Sequence, residues 1–187
     1  GRIATGAADG SIRILEPALG AWRATSIDLG TEIYSLEFDP TGSRVVAGTL
    51  GGVAMVWDGE VKGVPDGAIV HHEPSAARQV VVGVSGDGAI GSGYPDGRYV
   101  VSDPANPGAP GIQGTVGTND IQTLAFSPDG GRLLAVNYDG WVRVEDLKGG
   151  KRRIDFRTDP LLWAGVWSLG ELAVLAIGDG SMRLVRA

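Results

Sequence analysis

The chain reads as all-β, built from five copies of one small antiparallel sheet, and three observations support this. A tight turn ending in glycine recurs as Asp9-Gly10, Gly51-Gly52, Asp96-Gly97, Asp139-Gly140 and Asp179-Gly180, at spacings of 42, 45, 43 and 40 residues. Short apolar runs of strand length flank these turns, and no long segment carries helical periodicity. The 31 glycines and 10 prolines among 187 residues suit many tight turns between short strands. A period of about 40 residues made of strand-like runs is the signature of propeller blades. The expected fold is therefore a β-propeller of about five blades, with segments at about 1–30, 31–73, 74–117, 118–159 and 160–187.

The elements follow in order. Residues 2–6 align with residues 44–48, so the first segment opens at a second strand. Ile12-Arg13-Ile14-Leu15 then forms a third strand and residues 22–29 an outer one. The second segment is complete, with a first strand at 33–38, a Pro40/Gly42 turn, and strands at 44–48, 53–58 and 68–72. In the third, residues 80–88 supply a first strand and turn and Tyr99-Val100-Val101-Ser102 a third strand, while the slot after Pro104 is weakly strand-like. The fourth repeats the second without gaps: 121–130 lies on 33–42, followed by strands at 132–136, 141–146 and 153–157. In the fifth, 161–170 fills the first-strand slot and Met182-Arg183-Leu184-Val185 the third. A glycine at the second central position of each Asp-Gly turn tolerates the positive φ that such hairpins require. Three complete four-stranded blades are thus flanked by two three-stranded ones.

The turns Phe38-Asp39-Pro40-Thr41-Gly42 and Phe126-Ser127-Pro128-Asp129-Gly130, the Asp-Gly turns and the dipeptide Trp57-Asp58 resemble the WD-repeat family. The resemblance covers the whole chain through its period, in degenerate copies. Leu15, Ser102, Glu145 and Val185 fill the other four tryptophan slots, and the Gly-His dipeptide between blades is missing. The family's buried Asp-His-Ser/Thr-Trp network is therefore expected to be incomplete in every blade. The resemblance implies a ring of roughly seven blades in which these 187 residues form the C-terminal part. A companion polypeptide or upstream segment is then expected to supply the missing strands.

Composition narrows the function classes. A net charge of −6 argues against nucleic acid as the main partner, because phosphate binding needs a basic face. The absence of cysteine excludes disulfides and thiolate metal sites and fits a reducing compartment, so a cytoplasmic location is expected. Heavy Ala, Gly, Val, Arg and Asp usage suggests a bacterial source of high GC content. No run of 18 apolar residues is present, so no membrane-spanning helix is expected.

Motifs that could carry chemistry are few. Gly86, Gly88 and Gly91 spell a dinucleotide-binding string, but the repeat places them on a hairpin and not before a helix. His71 and His72, the only histidines, are neighbours on an expected strand and would point to opposite faces. No nucleophile elbow and no calcium-loop spacing occur. No catalytic, metal or cofactor residues are assigned, and the chain is expected to be no enzyme.

The expected function is a noncatalytic protein-interaction platform, the scaffold, sensor or regulatory part of a larger multidomain protein. The alternative is a propeller enzyme or small-ligand binder with a polar central channel. The resemblance places the partner face on turns between second and third strands and on loops entering first strands. Glu32, Asp120, Tyr138, Asp159 and Trp163 are the candidate partner-binding residues there. Lys148, Lys151, Arg152, Arg153 and Arg157 form a basic cluster, expected as a solvated loop. Most of Tyr138, Trp141, Trp163 and Trp167 are expected between blades, any exposed ones serving as interface anchors.

Overall fold

A computed structural model describes residues 1–50, 53–58, 68–72, 80–103, 105–106, 109, 111–149, 153–158, 162–167 and 172–186; for 53–58, 68–72, 153, 162 and 163 it describes backbone only. The Gly51-Gly52 turn, Asp159 and the loop at 73–77 lie outside the described residues, as do the side chains of the two histidines. Among the described residues every regular element is a strand, and all strands lie in five antiparallel meanders taken in chain order.

The first sheet is β1 (Ile3–Gly6), β2 (Ser11–Ala18) and β3 (Ala21–Asp28). The second is β4 (Ile33–Phe38), β5 (Arg44–Thr49), β6 (Val53–Asp58) and β7 (Ala68–His72). The third is β8 (Val81–Val84), β9 (Ile90–Gly93), β10 (Arg98–Ser102) and β11 (Ile112–Thr115), so the weakly strand-like slot after Pro104 does hold a short outer strand. The fourth is β12 (Ile121–Phe126), β13 (Arg132–Asn137), β14 (Trp141–Asp146) and β15 (Arg153–Arg157). The fifth is β16 (Leu162–Trp167), β17 (Leu172–Ile177) and β18 (Met182–Arg186).

Second strands hold the sheets together because side chains alternate across a strand. In β5, Val45 and Ala47 pack toward the first sheet while Val46 packs toward the third. In β13, Leu133 and Ala135 face the third sheet while Leu134 and Val136 face the fifth. One apolar run thus builds two interfaces, and four seam cores stand where a globular domain would have one. Backbone bonds close three of these seams at one rim. Ile33 N–H donates to the Ala7 carbonyl (3.2 Å), Val80 N–H to Thr49 (3.2 Å) and Ile121 N–H to Tyr94 (3.1 Å).

Small residues face large ones across the seams. A Cβ on Gly93 would lie 2.6 Å from Ile121 Cγ2. At the last seam the sizes are exchanged. β13 carries Val136 at the position of Gly93, and the facing strand supplies Gly165, whose Cβ would lie 2.9 Å from Leu134 Cδ2 and 3.3 Å from Val136 Cγ2. Glu145, in the tryptophan slot of β14, is reached from the third sheet by the hydroxyl of the fully buried Tyr99, which donates to its carboxylate.

Residues 161–170, assigned to the first-strand slot of the fifth sheet, do contain its first strand, β16. Bulges at Ile33/Ser35 and Ile121/Thr123 recur at Leu162/Ala164, so Leu162 takes the place of Ile121 and Trp167 that of Phe126. Four residues separate β16 from β17, against five between β12 and β13. Trp167 packs at the seam, and its indole N–H donates to the Ala125 carbonyl of the fourth sheet (2.9 Å).

Candidate functional site

Two rims result from this topology. The upper rim gathers the turns between second and third strands and the segments leading into first strands; the lower rim gathers the remaining turns. On the upper rim one bond pattern recurs. Leu50 N–H donates to the Glu32 carbonyl (2.9 Å) in the second sheet, and Tyr138 N–H to the Asp120 carbonyl (2.8 Å) in the fourth. Asp120 and Tyr138, both anticipated from sequence, are therefore brought together, and Glu32 holds the equivalent place one sheet pair away. Asp159 lies outside the described residues, and of Trp163 only the backbone, within β16, is described.

Around Tyr138 the fourth sheet assembles a surface that the sequence left dispersed. Asn119 accepts the Asp120 N–H (2.9 Å) through its side-chain oxygen and donates from its amide to the Asp139 carboxylate (3.1 Å). Thr158 N–H donates to the Gly140 carbonyl (2.9 Å), and Gly140 turns at φ 83, where an added Cβ would lie 2.5 Å from the Thr158 carbonyl. Asn137, fully buried, accepts the Trp141 N–H (2.9 Å) through its side-chain oxygen. Arg157 donates from Nε to the Asp139 carbonyl (3.1 Å), and its guanidinium carbon lies 5.9 Å from the Trp141 ring centroid, within cation–π range. Tyr138 and Trp141 remain 40% and 39% exposed on this fixed framework.

Trp141 and Arg157 were missed as site residues. Trp141 was one of four aromatics of which most were expected between blades and any exposed ones as interface anchors; it opens β14 immediately after a tight turn, at the rim end of the strand, and is one of the exposed ones. Arg157 was grouped with the lower hairpin. It ends β15, five strand residues away from that hairpin, and so reaches the opposite rim. Of the remaining basic cluster, Lys148 donates to the Asp129 carbonyl (2.9 Å), while Lys151, Arg152 and the Arg153 side chain lie outside the described residues. The Gly86–Gly91 string sits on the β8–β9 hairpin and on β9 itself, with strands on both sides. Among the described residues no three His, Cys, Asp or Glu side chains gather as ligands for a metal ion. What the upper rim offers is contact area: two aromatic side chains, a stacked cation and a carboxylate, each held by main-chain or short polar bonds.

Comparison with known proteins agrees with the fold. Residues 27–58 and 112–144 match the family described as "WD domain, G-beta repeat". No curated protein matches the chain. Among solved structures the chain is similar to one from "Crystal Structure of Mitotic Checkpoint Complex", with a TM-score of 0.77 and 16% identity over 99% of this chain. The chain spans 59% of the length of that relative. At such identity the likeness shows a shared fold.

Proposed function

We propose, for a chain that carries two WD repeats within a β-propeller fold, that it is a noncatalytic platform binding a protein partner through the upper rim of the fourth sheet. Propellers of this kind serve generally as protein-interaction modules. The observation that supports this site is the exposed pair Tyr138 and Trp141, set on a backbone framework that needs neither side chain. Rigid loops carrying exposed aromatics bind with little ordering cost and supply the anchors that dominate interface energies. Arg157 and Asp139 beside them add one charge of each sign for orientation.

Quantitative affinity capture from the source cell tests this, comparing the natural chain with a Tyr138→Ala/Trp141→Ala double variant of unchanged circular dichroism. The same capture with Glu32→Ala reports on the equivalent place in the second sheet. Loss of one or more captured proteins from the double variant alone is expected. Identical capture by all three proteins would remove the fourth-sheet rim from consideration.

The finer role proposed is that of the scaffold, sensor or regulatory part of a larger assembly whose companion supplies further propeller sheets. The outer face of the fifth sheet supports this. Val166, Val174 and Leu184 pair across β16, β17 and β18 in the register of Ala125, Leu134 and Val144 in the fourth sheet. Leu134 and Val144 are buried by the fifth sheet, whereas Val166 and Leu184 are 56% and 68% exposed. Native mass spectrometry of the protein purified from its source checks the companion. A stable, soluble lone chain with no other polypeptide would count against it.

A further inference from the structure

The lower rim carries a cavity of about 240 Å³ at the seam between the third and fourth sheets. Its walls are largely apolar, formed by Ala89, Val101, Ile112 and Leu147, and Asp87, Asp103 and Lys148 bring charge to it. The local sequence explains the opening. Lys148 reaches past the cavity to donate to the Asp129 carbonyl (2.9 Å) and lies near the carboxylates of both Asp87 and Asp129. Gly130 follows Asp129 with no side chain, and a Cβ there would lie 3.3 Å from Asp87 Oδ1, so at that point the fourth sheet leaves the slot open beside the carboxylate.

Two features separate this cavity from an ordinary packing gap. Ile112 begins an outer strand whose other residues are Gln113, Gly114 and Thr115, and it stays 38% exposed. An apolar side chain at that place serves no seam core and instead walls the slot. The charges are uneven as well: Lys148 is shared between Asp87 and Asp129, and among the described residues the Asp103 carboxylate accepts the Ala105 N–H (2.9 Å) and faces no cation. Ser85 donates to Asp87 and keeps that group in its ionised form.

We propose that this lower-rim slot receives the side chain of an arginine of a partner protein. A cavity of this size is below that of most small-molecule pockets, about 300–1,000 Å³, and holds roughly eight water volumes, the scale of a single long side chain. Long basic side chains bury their aliphatic stems on apolar walls and place the charge at a polar end. A guanidinium matches a carboxylate with two parallel donors, which favours arginine over lysine. The inference concerns the rim opposite Tyr138 and Trp141 and stands independently of the function proposed for them.

Proton–nitrogen correlation spectra of the full chain test it with n-butylguanidinium and its uncharged isostere n-butylurea as probes. Butylguanidinium should shift the amide signals of Ala89, Ile112 and Leu147, and butylurea should do so at least five-fold more weakly. Asp103→Asn, an exposed substitution with no role in the seam cores, should weaken butylguanidinium about ten-fold, the effect of losing a charge-assisted bond. Equal shifts from both probes would mean an apolar cleft without charge recognition and would overturn the proposal. So would shifts that Asp103→Asn leaves unchanged, or no shift at these residues at all.

Discussion

Replacing Gly93 by alanine measures how tightly the seams are fitted. The new Cβ would lie 2.6 Å from Ile121 Cγ2, 2.8 Å from Ile121 Cβ and 3.2 Å from Leu124 Cδ1. Neither neighbour has room to yield, since Ile121 is 1% exposed and branched at Cβ, and Leu124 is buried beside it. Alanine restricts the unfolded chain, a gain of about 0.4–1 kcal/mol, while overpacking a filled core costs about 1–3 kcal/mol. The net expectation is a loss of about 1–2 kcal/mol, or a few degrees of melting temperature for a chain of this length. Thermal and urea unfolding followed by far-ultraviolet circular dichroism would read it. Ile121→Ala alone should cost about 2–5 kcal/mol as a cavity. Because that cavity lies where the new methyl goes, the double variant should lose less than the sum by at least about 1 kcal/mol. A neutral or stabilising Gly93→Ala, or strict additivity with Ile121→Ala, would refute the steric account of the seam.

Two further outcomes follow from the charged groups. Glu37 is an exposed residue, yet its carboxyl lies against β8, and desolvation there pushes its pKa up to about 7, against the lowering effect of the Val84 N–H bond (3.0 Å). The folded state therefore favours the protonated form, so the destabilising effect of its charge is absent below the ordinary glutamate range and complete above pH 7. Glu37→Gln should raise the melting temperature at pH 8 and leave it unchanged at pH 4; equal effects at both would exclude a titration cause. Arg143, 9% exposed, donates to Asp155 from Nε (2.7 Å) and from a terminal nitrogen (3.3 Å). Asp155→Ala should cost about 1–3 kcal/mol by leaving a buried guanidinium without this carboxylate, whereas Arg143→Met should stay within about 1 kcal/mol. Denaturant unfolding that ranks the two variants the other way would contradict this.

Architecture was legible because the repeat is written in features the fold cannot do without. The Asp-Gly turns need positive φ, as at Gly97 (φ 81) and Gly140 (φ 83), and second strands such as 132–137 need apolar residues on both faces. In the fifth sheet, residues 161–170 marked the first-strand slot without fixing its register. The bulge at Leu162/Ala164 is the better marker, but it leaves no trace in residue type. Of the site, Asp120 and Tyr138 followed from the blade register alone. Trp141 and Arg157 did not, because only strand ends reveal which rim a side chain reaches.

Why the partner surface resists prediction follows from the same bonds. Leu50 and Tyr138 occupy one position in two sheets, and so do Glu32 and Asp120, yet in both sheets the contact is N–H to carbonyl. At Leu50 and Tyr138 the bond that recurs asks only for a main chain, so it places no demand on their side chains. Leucine stands at one, and a tyrosine that stays 40% exposed at the other. Such positions vary from copy to copy without cost to the propeller, and the seam positions do not: Gly93 and Gly165 are each tied to the size of the residue across from them. Specificity therefore collects where the repeat is silent. An exposed aromatic pair on a backbone-bonded rim is informative because the main-chain bonds that build the rim do not depend on it.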